Sequence, residues 1–273
     1  MKRRIAITLL CVLILSACGR QSLPETTAPA APNTVTVTFP EGTTAWQTAK
    51  RLEENGVCTA EAFLNAVSEA KADSDLFGEV DPLERPFIAE GYLFPDTYEF
   101  YIASSPDTAL QKFLTNFAAK WTPEMDARAA ELGMTRDEVI TLASIVQAEA
   151  GYSEQMPHVS SVLHNRLSQN IRLQCDVTYF YLENTVMPFL CGEEWDDDVY
   201  EQYADRYYTY RFAGLPAGPM CDPGLDAIRA ALYPADTDDL YFVTDALGNF
   251  FYAATHEQHI QNCEAAKAVQ TTE

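Results

Sequence analysis

The chain has 273 residues, 47% of them apolar and three of them Trp, which suffices for one large domain or a small one followed by a larger one. Against 18 Lys and Arg stand 40 Asp and Glu, for a formal charge of −22. That balance excludes nucleic acid and anionic lipid surfaces as electrostatic partners, and it is indifferent to a neutral glycan.

Lys2, Arg3 and Arg4 precede an apolar run from Ile5 to Leu15 that is too short to span a bilayer comfortably, so residues 1–17 read as an export signal. Leu15-Ser16-Ala17-Cys18-Gly19 closes the run and resembles a bacterial lipobox. That likeness implies lipidation of Cys18 and a lipid anchor in the cell membrane, on its extracytoplasmic face; the alternatives are an ordinary signal peptide or an uncleaved anchor. Residues 18–34, rich in Pro, Thr and Ala, form a flexible tether. Val35, Val37 and Phe39 alternate with Thr as a strand would, and Pro40-Glu41-Gly42 turns the chain. Ala45, Trp46, Ala49 and Leu52 give a helix stripe closed by Asn55-Gly56, and a second short helix starts near Thr59. Residues 35–80 therefore make a small module, followed by a larger domain over 81–270. Asp73 to Glu84 reads as a loop, and aromatic and turn residues mix from Glu90 to Tyr98. Ser105-Pro106 and Thr122-Pro123 each start a helix as cap and first residue.

The stretch Thr135 to Gly151 organises the rest. Thr135 and Glu138 make a capping box, and Gly151 is a C-cap candidate. Leu142, Ile145, Val146 and Glu149 share one helix face, which leaves a lone carboxylate on apolar ground in the last turn. Burial and the negative end of the helix dipole both favour its protonated form, the state a general acid needs. The plain alternative is a Glu that reaches the edge of the face or pairs with Arg166 or Arg172.

Met156-Pro157 opens a further helix with Val159, Val162, Leu163 and Leu167 inward and Asn165-Arg166 beside them. Leu173 to Phe180 reads as a strand with Gln174, Asp176 and Thr178 on one face, either a polar site or a solvated edge. Glu183 to Asp205 reads as a long acidic and aromatic loop, either over the site or a solvated insertion. Gly214 to Pro219 is a rigid turn, Asp222-Pro223 caps a helix, and Leu240–Thr244 with Phe250–Ala253 forms a hairpin. Thr255 and Gln258 suggest another capping box. Cys58, Cys175, Cys191, Cys221 and Cys263 leave an odd set, with a disulfide expected among Cys175, Cys191 and Cys221. No C-x-x-C occurs, and His256 with His259 finds no third ligand, so neither metal nor cofactor is expected. The fold class is α+β.

Leu142 to Glu149, Asn165-Arg166-Leu167 and Leu173 to Thr178 resemble the MltG (YceG-like) endolytic murein transglycosylases. Tyr207 to Tyr210, Gly214-Leu215-Pro216, Pro223-Gly224, Leu240 to Val243 and Thr255 to His259 continue the likeness in order, from about Val35 to Asn262. The resemblance implies a LysM-like module at 35–80 before a YceG-like catalytic domain, and an enzyme that cuts nascent peptidoglycan strands internally. It implies Glu149 as the acid/base, peptidoglycan glycan strands as substrate, and cell-wall synthases as partners. Departures from the pattern are Gln147, where the family often has Glu, Val177 for Pro, Tyr208 for Asn and Gln258 for Glu.

A lytic transglycosylase needs one carboxyl only, because the substrate's own C6 hydroxyl closes a 1,6-anhydro ring, whereas hydrolysis generally needs two. Gln174, Asp176 and Thr178 then hydrogen-bond the sugar, and Tyr210 or Tyr241 offers a stacking face. Arg166 either orders Glu149, meets a lactyl or peptide carboxylate, or makes a structural ion pair. His259 is either a structural donor or a sugar contact. Two other readings are a hydrolytic muramidase with Asp176 as second carboxylate, and a wall-binding lipoprotein without activity.

Overall fold

The computed structural model describes residues 33–70, 74–78, 80, 84–192 and 194–269. The signal segment, Cys18 and residues 18–32 of the tether lie outside the described residues. Among the described residues, no helix is long and apolar enough to cross a membrane.

Strand β1 (Thr34–Thr38) pairs antiparallel with β2 (Thr97–Tyr101), which sets Val37 opposite Tyr98 and Val35 opposite Phe100. Helices α1 (Ala45–Glu54), α2 (Ala60–Ser68) and the short α3 (Ser74–Phe77) lie between them in sequence. Thr44 and Gln47 cap α1 reciprocally, and Ala45, Ala49 and Leu52 turn inward as the stripe requires. Helix α4 (Pro106–Lys120) then lays Phe113 over Phe39, edge to face at 4.9 Å between ring centres, with Tyr98 at 4.6 Å. Strand β2 was not predicted. Its buried–exposed alternation is regular, but turn residues precede it and its partner strand is distant in sequence, from Thr38 opposite Thr97 to Thr34 opposite Tyr101.

Helix α5 (Pro123–Glu131) leads to α6 (Arg136–Glu149), which opens with the Thr135–Glu138 box. Every residue of α6 from Val139 to Val146 is buried, because α7 (Met156–Ser168) and a later helix cover it from different sides. The helix ends on Ala150 with φ −87°, so Gly151 is not the left-handed stop expected of it.

The stretch expected as a strand is a turn followed by helix α8 (Asp176–Tyr181). Thr209 Oγ1 accepts the Cys175 N–H at 3.1 Å, and the Arg166 guanidinium donates to the carbonyls of Arg172 and Leu173, so no ladder partner is needed. Gln174 adopts φ +55° there. The expected loop at 183–205 is largely helical: a π-helical turn at Leu182–Val186, α9 (Met187–Cys191), and α10 (Asp197–Tyr207) capped by Asp196. Tyr203, Ala204 and Tyr207 supply its buried face.

Helix α11 (Leu225–Leu232) starts behind Gly224 with no side-chain cap; Asp222 instead accepts the Leu93 N–H at 2.9 Å. The hairpin forms as predicted from β3 (Tyr241–Thr244) and β4 (Phe250–Ala253), followed by α12 (His256–Ala268). Only half of the last capping box exists, since the Gln258 amide turns to Asn262. The expected disulfide is absent: Cys58, Cys175, Cys191, Cys221 and Cys263 are all free thiols. With strands in two small sheets and helices elsewhere, the fold is α+β.

Buried polar groups join the first strand–helix segment to α6. The Glu90 carboxylate accepts from Ala45 N–H at 2.9 Å and from the Tyr181 hydroxyl at 3.1 Å. Burial pushes Glu90 up to about 7, and burial together with Glu90 raises Asp222. Arg85 reaches the Glu90 carbonyl and, at 2.8 Å, the Asp137 carboxylate in the first turn of α6.

Candidate active site

The C-terminal end of α6, one side of α7, the 173–176 turn, Tyr210, β3 and the first turn of α12 enclose a cavity of about 520 Å³. Because α6 is fixed by burial all round, the rotation that places Ile145 and Val146 in the core also places Glu149 in the cavity wall. Glu149 Oε1 is buried and has no hydrogen-bond partner among the described residues. Burial pushes its pKa up to about 7, and the Asp176 charge adds to the rise. The Val177 N–H and the Cys175 thiol lie close enough to offset part of the shift without reversing it.

Neither Arg166 nor Arg172 pairs with Glu149. Arg172 donates to the Tyr210 carbonyl at 2.8 Å. Arg166 is buried, its Nε donating to the Leu240 carbonyl at 2.6 Å and its Nη1 to Arg172 O, Leu173 O and Gln174 Oε1. Its guanidinium lies 5.2 Å from the centre of the Tyr241 ring. It ties α7 to the 172–174 turn and to β3. No carboxylate pairs with it among the described residues, and Nη2 makes none of these bonds. Arg166 thus lines the cavity as a cation held by carbonyl oxygens rather than by a carboxylate.

Gln174, Asp176, Tyr210, Tyr241 and His259 all line the cavity with Glu149. The Tyr210 hydroxyl donates to Asp176 Oδ1 at 2.8 Å, which fixes that carboxylate. His259 stacks on Tyr241 at 5.0 Å, and burial, with His256 and Arg166 nearby, keeps it neutral more readily than a free imidazole. Thr178 is not among them. It is buried, and its hydroxyl donates to the Cys175 carbonyl at 2.7 Å and meets Thr209, so it braces α8 and is not placed to touch a sugar. The strand reading had put Thr178 beside Asp176; helix geometry turns it inward.

Cys175 and the His256 ring also line the cavity and were not singled out from the sequence as cavity-lining groups. Position 177 carried a usable signal: the Pro usual there in the resembled family suits the first turn of a helix and sits poorly inside a central strand. Gln147 faces away from Glu149, accepting the Gly224 N–H at 3.0 Å, so it supports the wall between α6 and α11. No group of three or more His, Cys, Asp or Glu among the described residues is placed to hold a metal ion.

The chain is 29% identical over 252 residues to the endolytic murein transglycosylase of Streptococcus pneumoniae serotype 2 strain D39, covering 87% of this chain and 45% of that protein. It is 29% identical over 207 residues to the protein of that name from Bacillus subtilis strain 168, covering 73% and 53% respectively. The chain thus spans about half the length of the curated relatives it matches. A crystal structure of a YceG-like protein from Listeria monocytogenes superposes with a TM-score of 0.68 at 25% identity, over 85% of this chain and 76% of that one. The sequence profile of the YceG-like family matches residues 20–265, and the chain belongs to that family.

Proposed function

We propose that the protein is an endolytic lytic transglycosylase that cleaves the MurNAc–GlcNAc bond of nascent peptidoglycan strands, with Glu149 as its single acid/base. The observation that carries this reading is the largely buried Glu149 carboxyl, without a cationic partner among the described residues and raised to about 7 in a cavity lined by sugar-compatible groups. Protonated Glu149 donates to the leaving glycosidic oxygen. The C6 hydroxyl of the MurNAc then attacks its own anomeric carbon, and its proton passes to the Glu149 carboxylate. One bond is broken, one ring is closed, the acid is restored and no water is consumed.

Around that step, Asp176 and Gln174 hydrogen-bond the sugar, and Tyr241 offers a ring face backed by His259. The uncompensated Arg166 charge takes a lactyl or peptide carboxylate of the strand. The proposal includes a lipid tether at Cys18 on the extracytoplasmic face of the membrane. It also includes a role for residues 35–80 as a LysM-like wall-binding module, and work beside cell-wall synthases. These rest on the sequence resemblance alone.

A second reading is favoured by one observation: Asp176 lies close enough to Glu149 to raise its pKa, so two carboxyls share the cavity. A hydrolytic muramidase would use Asp176 as base or nucleophile. Mass spectrometry of strands digested by the parent protein separates the two. Transglycosylation gives 1,6-anhydroMurNAc ends; ordinary reducing ends on every product would instead establish hydrolysis.

A further inference from the structure

A row of aromatic side chains leads out of the cavity across α8 and α10, and this inference rests on the reading of the protein as acting on glycan strands. It begins at Tyr210, whose hydroxyl holds Asp176. Tyr208 follows at 5.2 Å between ring centres, then Tyr179 at 5.6 Å from Tyr208 and Phe180 at 5.6 Å from Tyr179. Arg211 joins a second pair to the row: its guanidinium carbon lies 5.9 Å from the Tyr208 ring and 6.0 Å from Tyr200, and Tyr200 meets Trp195 at 5.2 Å. Glu201 at 2.7 Å and Asp205 at 3.1 Å hold the guanidinium in place.

Packing accounts for only part of the row: Tyr200 and Tyr208 rest against the core, and the outer rings do not. Phe180 is 54% exposed and Trp195 52% exposed, and Tyr179, Tyr200, Tyr208 and Tyr210 are only half-buried. Single exposed aromatics are ordinary on any surface. Tyr101 and Tyr233 are such cases, each exposed and touching no other ring among the described residues. A connected series of rings that starts at the mouth of a cavity is different, because it continues one binding surface onto another.

The chemistry around the rings narrows the occupant. Glu201 and Asp205 flank them, within a chain of charge −22, so a polyanion is disfavoured. Aromatic faces stack instead on the apolar C–H faces of sugar rings. A polymer cut internally at Glu149 must leave the cavity on both sides of the cut. We infer that this row is a non-catalytic track for the glycan strand, binding N-acetylhexosamine units several residues from the cleaved bond. It makes long strands better substrates than short ones.

The test is the full chain carrying Phe180→Ala and Trp195→Ala together, compared with the parent on long uncrosslinked strands and on a short oligosaccharide that fills only the cavity. The ratio of kcat/KM for long over short substrate is expected to fall about tenfold, the size of effect that losing two stacking contacts gives. Tyr233→Ala, elsewhere on the surface, controls for loss of an exposed ring and should keep the parent ratio. An unchanged ratio in the double variant overturns the track and points to a protein partner or to bare exposure. If the parent cleaves neither substrate, it is the assigned activity that fails. Retention of long strands by the Glu149→Gln chain, with and without the double substitution, then decides the track alone: about tenfold weaker retention supports it, equal retention refutes it.

Discussion

Glu149→Gln is expected to lower strand cleavage by at least about 10³-fold while leaving the fold and the binding of strands intact. General acid catalysis by one positioned group is worth roughly 10²–10⁴-fold. Here the same carboxyl is asked both to give a proton and to take one, which places the loss towards the top of that range. The amide is isosteric and neutral, and it mimics the protonated form that the parent side chain takes below about pH 7. No ion pair is therefore broken by the change, and no buried charge is orphaned: neither Arg166 nor Arg172 is paired with Glu149 in the parent. Thermal melting should coincide with the parent's, and turnover measured by release of soluble glycan should be lost. A variant that melts early would mean that Glu149 serves the fold; one that cleaves at the parent rate would remove the proton donor from the mechanism.

Gly91→Ala is expected to carry the largest stability effect of any single-methyl change argued here, about 2–5 kcal/mol. Gly91 has φ +85°, and a Cβ on it would lie 2.5 Å from Pro219 Cβ, 2.6 Å from Pro219 Cγ and 2.9 Å from Ile140 Cγ2. The left-handed conformation costs a residue with a Cβ roughly 1–2 kcal/mol, and forcing a methyl into a packed wall costs about 1–3 more. Neither neighbour can yield cheaply: Ile140 is in the buried helix α6, and Pro219 is a rigid ring in the turn before Met220. The measurement is a thermal melt, with a fall in Tm on the order of 10 °C. Gly133→Ala separates the two causes. Gly133 also has positive φ, +70°, but nothing lies within 4 Å of its Cβ position, so it should show only the smaller, conformational part of the loss. Gly91 is where the Glu90-to-Leu93 segment comes against α6, so the variant should also disturb the helix that carries Glu149.

What could be read from the sequence follows the range of the forces involved. Caps and periodic faces are local, and the starts of α2, α4, α5 and α6 stand where Thr59, Ser105, Thr122 and Thr135 put them. Glu149 was legible for the same reason, since a carboxylate in register with Leu142, Ile145 and Val146 is visible at one glance along a helix. Asp176-Val177-Thr178-Tyr179-Phe180-Tyr181 misled because β-branched and aromatic residues favour strands. Here Thr209 and Arg166 satisfy the preceding backbone instead, and neither is near in sequence. The segment from Asp197 to Tyr207 looked like a loop because its polar residues outnumber its apolar ones, although Tyr203, Ala204 and Tyr207 already held helical spacing. The buried carboxyls of Glu90 and Asp222 gave no local sign at all, because what makes them acceptable is a set of donors from Ala45, Tyr181 and Leu93.

The pH dependence of kcat/KM, measured for the parent and for Asp176→Asn, reaches the core of the mechanism most directly. Burial and the Asp176 charge both hold the proton on Glu149, so the working form of the parent is the one present below about pH 7. Its activity should be level on the acid side and fall tenfold per pH unit above that point. Removing the Asp176 charge takes away one of the two causes that raise the pKa, so the descending limb should move to lower pH and the variant should be slower than the parent at pH 7. A parent whose rate climbs through pH 7, or a limb that stays in place when Asp176 is neutralised, would contradict the assignment.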